Sequence, residues 1–206
     1  MKSSICLHDI IQNSRVNGSG SRCVLWTQGC SKKCPNCYNP EMWDFNGGED
    51  YNIDILVEDI IDSGCDGVTI SGGDPFEQPE ALYNLLVGLN KHLDKLPMGI
   101  IVFTGYTIEE INENSVAKNC IILIDLIIDG RYVDGLRHES GISGSSNQGF
   151  IYNNEVGRGK DRIGEEVEID QDVEIYSKGD DYVLTGFPLI DKDQLAELGI
   201  EFITED

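Results

Sequence analysis

Apolar runs that lead into glycine, separated by stretches of helical period, constrain this chain more than any other feature. Gly67-Val68-Thr69-Ile70-Ser71 ends at Gly72, Gly99 to Thr104 ends at Gly105, and Ile121 to Ile128, broken by Asp125, ends at Asp129-Gly130. Arg22-Cys23-Val24-Leu25-Trp26-Thr27 is rich in β-formers and reads as the first core strand. Between these runs, 54–63 places Ile55, Leu56, Ile60 and Ile61 at helical spacing and stops at Gly64. A second helix is expected over 80–93, with Leu82, Leu85, Leu86 and Leu89 on one face. A third starts at Thr107, which can cap it, with Glu109 and Glu110 favourable in its first turn. Such alternation predicts an α/β fold with a parallel sheet and crossover helices. Four strands are too few for a closed eight-stranded barrel, so an open, partial β/α barrel is the expected form.

The remaining segments are less regular. Cys6 to Ile11 reads as a strand or an ordering turn, 17–21 as a Gly-rich turn, and 139–148 as a small-residue loop. Beyond residue 150 the pattern changes to period two. Val167-Glu168-Ile169, Val173 to Tyr176 and Tyr182 to Gly186, with a turn at Lys178-Gly179-Asp180-Asp181, predict a β-hairpin. A short helix over 191–198 and an apolar stretch over 200–203 close the chain. The expected division is a core over 1–150 and a β-rich C-terminal extension over 151–206.

A length of 206 residues fits one domain with a small appendage. A net charge of −22 argues against nucleic acid, whose phosphates attract lysine and arginine. A large partner should therefore dock through local complementarity. No apolar run reaches membrane-spanning length, and the first fifteen residues lack the pattern of a signal peptide, so no membrane association and a cytoplasmic location are expected. Seven cysteines without a secretory signal favour reduced thiols over a disulfide framework. Cys6, Cys23, Cys65 and Cys120 stand singly and read as small buried hydrophobes.

The other three are close together. Cys30, Cys34 and Cys37 fall in Cys-Ser-Lys-Lys-Cys-Pro-Asn-Cys. Thiolates are soft ligands suited to zinc, copper(I) or iron–sulfur clusters. A closed zinc site or an ordinary four-iron cluster takes four protein ligands, yet this set stops at three. On spacing alone two readings stay open. One is a zinc or redox site completed by Cys23, Cys65 or His8. The other is a [4Fe-4S] cube with one iron free of protein ligands.

The flanking residues bear on that choice. The three-cysteine spacing resembles the radical S-adenosylmethionine (radical SAM) superfamily. Gly20, Arg22 to Trp26, Gln28-Gly29-Cys30, Cys37-Tyr38-Asn39-Pro40-Glu41-Met42-Trp43 and Gly144-Ser145-Ser146-Asn147-Gln148 resemble the activating enzymes of glycyl radical enzymes, in particular the activases of anaerobic (class III) ribonucleotide reductases. The resemblance covers about residues 15 to 150. It implies a [4Fe-4S] cluster on Cys30, Cys34 and Cys37, with S-adenosylmethionine on the open iron.

Gly72 and Gly73 would then meet the methionine end of that cofactor through their backbone, and Asp74 its ammonium. Asn36, Cys37 and Tyr38 would lie near the adenine. Thr104 and Asp129 would contact the ribose or carboxylate, or frame the mouth; alternatively Asp129 and Arg131 pair with each other at the rim. No side chain is assigned a catalytic role, because cluster and cofactor carry the chemistry. The implied activity is reductive cleavage of the cofactor and formation of a glycyl radical on a partner, the anaerobic ribonucleotide reductase large subunit. With no second cysteine cluster, the electron must come from a flavodoxin- or ferredoxin-like donor.

Lys32 and Lys33 read as solvated lysines, Trp26 and Trp43 as packing around the cysteine loop, and His8, His92 and His138 as surface residues. Two departures from the family pattern stand out. Ser31 occupies a position where many activases have proline, and the C-terminal extension is extra. A radical SAM enzyme with its own peptide or small-molecule substrate is the second reading, and a metal-binding interaction module the third.

Overall fold

The structure, a computed structural model, describes residues 3–137, 141–164, 167, 173–178 and 181–186. Its frame is a mixed seven-stranded sheet. Strands β1 (Ser4–Ser14), β2 (Arg22–Thr27), β3 (Glu49–Asn52), β4 (Gly67–Gly72), β5 (Ile100–Phe103), β6 (Leu126–Asp129) and β7 (Gly149–Tyr152) lie in the order β3-β1-β2-β4-β5-β6-β7. The central strands β2, β4, β5 and β6 are parallel, in a register that sets Val24 against Thr69 and Thr27 against Gly72. Pairs β1–β2, β1–β3 and β6–β7 are antiparallel.

Helices α1 (Ile53–Asp62), α2 (Pro79–Asn90), α3 (Ile108–Glu113) and α4 (Ala117–Ile121) form the connections between the parallel strands. The strands add in one direction, so right-handed crossovers place these helices on one face. Leu82, Leu85, Leu86 and Leu89 of α2 are all buried there, with Leu25, Val68, Ile70, Ile100, Val102 and Ile127 from the sheet. Each such side chain contributes about 1.5–3 kcal/mol against exposure. Cys23, Cys65 and Cys120 are buried in this core, Cys65 accepting from Ser63 Oγ at 3.0 Å. Cys6 is instead half-buried and donates to Gly47 O at 3.4 Å, so it is not the small buried hydrophobe expected.

Within the described residues the predicted helices over 54–63, 80–93 and from Thr107, and the predicted parallel strands, are present, with shifts that have physical causes. In α1, Asn52 accepts hydrogen bonds from the Asp54 and Ile55 N–H groups, which starts the helix one residue early. That phase buries Ile53, Leu56, Val57 and Ile60 and leaves Ile55 exposed. Thr107 caps α3 in a reciprocal box with Glu110. The run 121–128 is not one strand. Its first residue ends α4, Ile122 is exposed, and only Leu126 onward pairs with β5. Edge strands β3 (Glu-Asp-Tyr-Asn) and β7 carry no alternating apolar signal, and sequence reasoning missed both.

The opposite face of the sheet is covered differently. Ile101, Leu126 and Ile128 pack with Ile142 and with Ile163 of α5 (Lys160–Ile163), while Val24 and Trp26 pack with Ile11 and Met42. Onto the latter patch folds the expected hairpin, β8 (Val173–Lys178) and β9 (Asp181–Gly186), through Tyr176. Ser14 Oγ and the Arg15 N–H donate to Glu174 at 2.8 and 2.9 Å, and Asn17 donates to Thr185 at 2.9 Å. The expected elements at 168–169, 191–198 and 200–203, the turn residues Gly179 and Asp180, and His138 lie outside the described residues.

Two buried charges organise the N-terminal end of the parallel strands. Arg22 is fully buried and uses all five N–H donors: Nε to Thr69 Oγ1, Nη1 to the Ser19 and Met98 carbonyls, and Nη2 to those of Val68 and Gly99, all within 3.1 Å. Asp125, also fully buried, accepts from the Ile100 N–H at 2.9 Å and from Arg158 Nε at 2.6 Å. Burial lowers the Arg22 pKa to about 10, opposed by the nearby charges of Asp125 and Asp66. Among the described residues no helix is long and apolar enough to cross a membrane.

Candidate metal centre and its rim

The C-terminal ends of β2, β4, β5 and β6 converge, as expected for the working end of a parallel sheet. The loop after β2 carries the three cysteines. It is held against the β4 loop by the Gly73 N–H donating to Thr27 O at 2.7 Å and the Asp74 N–H to Gly29 O at 2.9 Å. On its other side Gly29 and Cys30 donate to the carbonyls of Met42 and Trp43, at 2.9 and 3.2 Å. Lys33 and Asn36 adopt left-handed φ values of 47° and 57°. The Cys37 N–H reaches Cys34 O at 3.1 Å. This tight winding gathers the second and third thiols.

Cys30 is buried, while Cys34 and Cys37 are half-buried. Burial raises the Cys30 and Cys37 thiols, whereas the Lys32 and Lys33 amides beside Cys30, and the Asn39 amide and Trp43 indole beside Cys37, favour the thiolates. The Trp43 Nε1–H is buried and has no partner within hydrogen-bond distance. A half-buried thiolate with an unspent N–H beside it fits a metal-bound sulfur, which keeps its charge because the metal compensates it.

Two of the completing ligands that zinc would need, Cys23 and Cys65, are not close. Cys23 and Cys65 sit at the N-terminal ends of β2 and β4, and the rise of β2 alone puts about 13 Å between that end and the cysteine loop. His8 pairs with Gln28 at 3.0 Å. Among the described residues no three His, Cys, Asp or Glu side chains converge as tightly as a single ion requires. By the chemistry of the donors, three soft thiolates on one loop fit an iron–sulfur cluster.

Around the loop lie the other residues that sequence reasoning named. Gly72, with φ at 107°, and Gly73 leave no room for a side chain, because backbone atoms of Thr27 and Gly29 occupy the space. The close approach they permit is therefore to the cysteine loop itself. Asp74 is buried and accepts from Thr104 Oγ1 at 2.9 Å, from the Gly105 N–H at 2.8 Å and from the Phe76 N–H at 3.0 Å. Asp129 accepts from the Ile108 N–H at 2.9 Å, and Arg131 pairs with Glu110 at 2.9 Å rather than with Asp129. Asn36 donates to Asp134 at 3.0 Å, and the ring of Tyr38 rests against that of Tyr132. Lys33 is exposed, but Lys32 lies 3.2 Å from the centroid of Tyr106, a cation–π contact.

Burial raises the Asp74 carboxyl from 3.8 to about 6, against the pull of its three hydrogen-bond donors. The folded form therefore binds the proton more tightly than the unfolded form. The resulting stabilisation is complete below about pH 4 and is lost as pH rises through about 6. In the metal-free chain, raising pH from about 4 to 7 should lower the unfolding free energy by about 2 kcal/mol relative to Asp74→Asn. Denaturant unfolding of both proteins across that range measures the difference. A gap that does not change with pH would refute the assignment.

Sequence reasoning missed two rim residues, Glu77 and Gln78. Glu77 accepts from the Ser31 N–H at 2.9 Å and from the Ser31 hydroxyl. Gln78 donates to Cys6 O and Gln28 O at 2.8 and 3.1 Å, and accepts from the Cys6 N–H at 2.9 Å. The only signal pointing toward them was Ser31 itself.

Residues 16–151 match the 4Fe-4S single cluster domain family. The chain is 35% identical over 140 residues to the anaerobic ribonucleoside-triphosphate reductase-activating protein of Escherichia coli (strain K12), an alignment covering 65% of this chain and 89% of that protein. It is 33% identical over 144 residues to the protein of that name from Pasteurella multocida, covering 66% and 90%, and 33% identical over 138 residues to that of Enterobacteria phage T4, covering 65% and 85%. These alignments cover most of each relative and about two thirds of this chain, and the family match ends at residue 151. With its three thiols at the end of a parallel sheet, the chain belongs to the 4Fe-4S single cluster domain family, alongside proteins named as activators of anaerobic ribonucleoside-triphosphate reductase.

Proposed function

We propose that this chain is a radical SAM activase whose partner is an anaerobic ribonucleotide reductase, with the singly wound sheet as an open β/α barrel. The observation that carries the reading is the docking of the Gly72-Gly73-Asp74 loop onto a three-thiol loop, in a chain related to named reductase activators. Cys30, Cys34 and Cys37 would hold the [4Fe-4S] cluster, beside which S-adenosylmethionine would bind. Together the two groups supply reductive cleavage of the sulfonium and hydrogen-atom abstraction from a glycine Cα of the partner.

The chain's own residues bind, orient and shield. The Gly72-Gly73 backbone lines the cofactor's amino-acid end. Asp74, held by Thr104 and Gly105, offers negative charge to its ammonium. Asn36 and Tyr38 flank the adenine side, with Asp129 fixing the start of α3 at the mouth. The Trp43 indole beside Cys37 favours its thiolate. The electron comes from a cytoplasmic flavodoxin- or ferredoxin-like donor.

The test is anaerobic incubation of the reconstituted chain with the reductase large subunit, S-adenosylmethionine and a chemical reductant. A glycyl doublet in the electron paramagnetic resonance spectrum is expected, and Cys34→Ala should abolish it. Cofactor cleavage without that doublet would instead indicate a substrate other than the reductase. A colourless zinc protein would overturn the reading.

A further inference from the structure

Ser31 is where the cysteine loop leaves its pairing with Met42 and Trp43, one residue after the Cys30 ligand. From there to Lys33, which turns left-handed, the chain must hold Cys30 in place without further strand pairing. The hydrogen bonds at this point come from the β4 loop and from the Tyr106 side chain, which bonds to both Ser31 and Glu77. Glu77 takes both donors of Ser31, the amide and the hydroxyl, on one carboxylate oxygen. Its neighbour Gln78 grips the start of the same loop at Gln28 O and ties it to Cys6 on β1. The two ends of Gln28–Ser31 are thereby bound by consecutive residues just beyond Gly72-Gly73-Asp74.

We propose that Glu77 is a positioning residue, which through Ser31 locks the Cys30 segment of the cluster loop to the Gly-Gly-Asp loop so that metal ligand and cofactor loop keep one fixed separation. Two loops at adjacent strand ends could otherwise shift independently, and a ligand bridging them would bear the cost of ordering them. Proline at position 31 would remove the amide donor and the hydroxyl together. The metal half of this inference stands on the three-thiol loop. The cofactor half rests on the activase reading proposed above.

The experiment uses the full chain, reconstituted anaerobically with iron and sulfide, as wild type, Glu77→Ala, Glu77→Gln, Ser31→Ala and the Ser31→Ala/Glu77→Ala pair. Two quantities are read. One is the rate of iron loss to a ferrous chelator. The other is the S-adenosylmethionine concentration that half-saturates the change in the reduced cluster's paramagnetic resonance spectrum. Glu77→Ala is expected to lose iron several-fold faster and to need about tenfold more cofactor, equivalent to about 1.4 kcal/mol. Glu77→Gln, which keeps an acceptor, should stay near wild type. The double variant should be no worse than the worse single one, because both remove the same clip.

Wild-type behaviour of Glu77→Ala in both readouts overturns the proposal. So does additivity of the pair, or a Glu77→Gln defect as large as that of alanine, which would assign the effect to charge. If Glu77→Ala fails to hold iron at all, Ser31→Ala and Glu77→Gln carry the comparison. A wild-type spectrum indifferent to S-adenosylmethionine sinks the activase reading alone, since the chelator rates still decide the clip.

Discussion

Replacing Asp125 by alanine is expected to lower the stability of the metal-free chain by about 3–5 kcal/mol, the cost of stripping one partner from a buried ion pair. Its carboxylate is fully buried and holds Arg158 Nε at 2.6 Å and the amides of Ile100 and Gly159 at 2.9 and 3.3 Å. Arg158 would keep Asn90 Oδ1 and the Leu123 carbonyl, both neutral acceptors, and its charge would stay buried without a counter-charge. Arg22, whose charge Asp125 also supports across the strand ends, would feel the loss. Asp125→Asn should cost less, because it keeps the shape and one acceptor while removing the charge. Urea unfolding of the three proteins measures this. A loss below about 1 kcal/mol for alanine would show that water already reaches the site.

The same residue marks how far the sequence could be read. Asp125 registers there only as a flaw in an apolar run, because its partners Arg158 and Arg162 lie more than thirty positions away. Long-range ion pairs leave no periodic trace. By contrast the parallel strands and α2 were legible, since burial on one or both faces imposes the spacing directly. The edge strands were not. Glu49–Asn52 pairs with β1 through its backbone while its side chains stay mostly in water, so nothing selects for alternation.

At the site the three cysteines announce themselves by spacing, and the glycine–aspartate turn by composition. What the turn does first is mechanical. Its glycines let two loops touch, and its aspartate ties β4 to β5 through Thr104 and Gly105. The ends of Gln28–Ser31 are fastened by Glu77 and Gln78, ordinary polar residues whose role depends wholly on where the fold puts them.

Gly73→Ala should therefore be severe at a position with no charge and no chemistry of its own. A Cβ there would collide with Gly29 O and lie 2.7 Å from Met42 O and 2.8 Å from the Gly29 carbonyl carbon. All three are backbone atoms, so no side chain can swing aside. The two loops would have to part, breaking the Gly73-to-Thr27 and Asp74-to-Gly29 hydrogen bonds and displacing the residue before Cys30. Overpacking of this kind costs about 1–3 kcal/mol, and each lost hydrogen bond about 1 kcal/mol more. The expected result is a loss of about 3–5 kcal/mol in the metal-free chain. After reconstitution the iron content should fall to a small fraction of wild type, because Cys30 no longer meets the other two thiols. Gly135→Ala is the control, since nothing lies within 4 Å of a Cβ built there, and it should match wild type in both assays. Normal iron content in Gly73→Ala would mean that the contact between the loops is incidental to cluster binding.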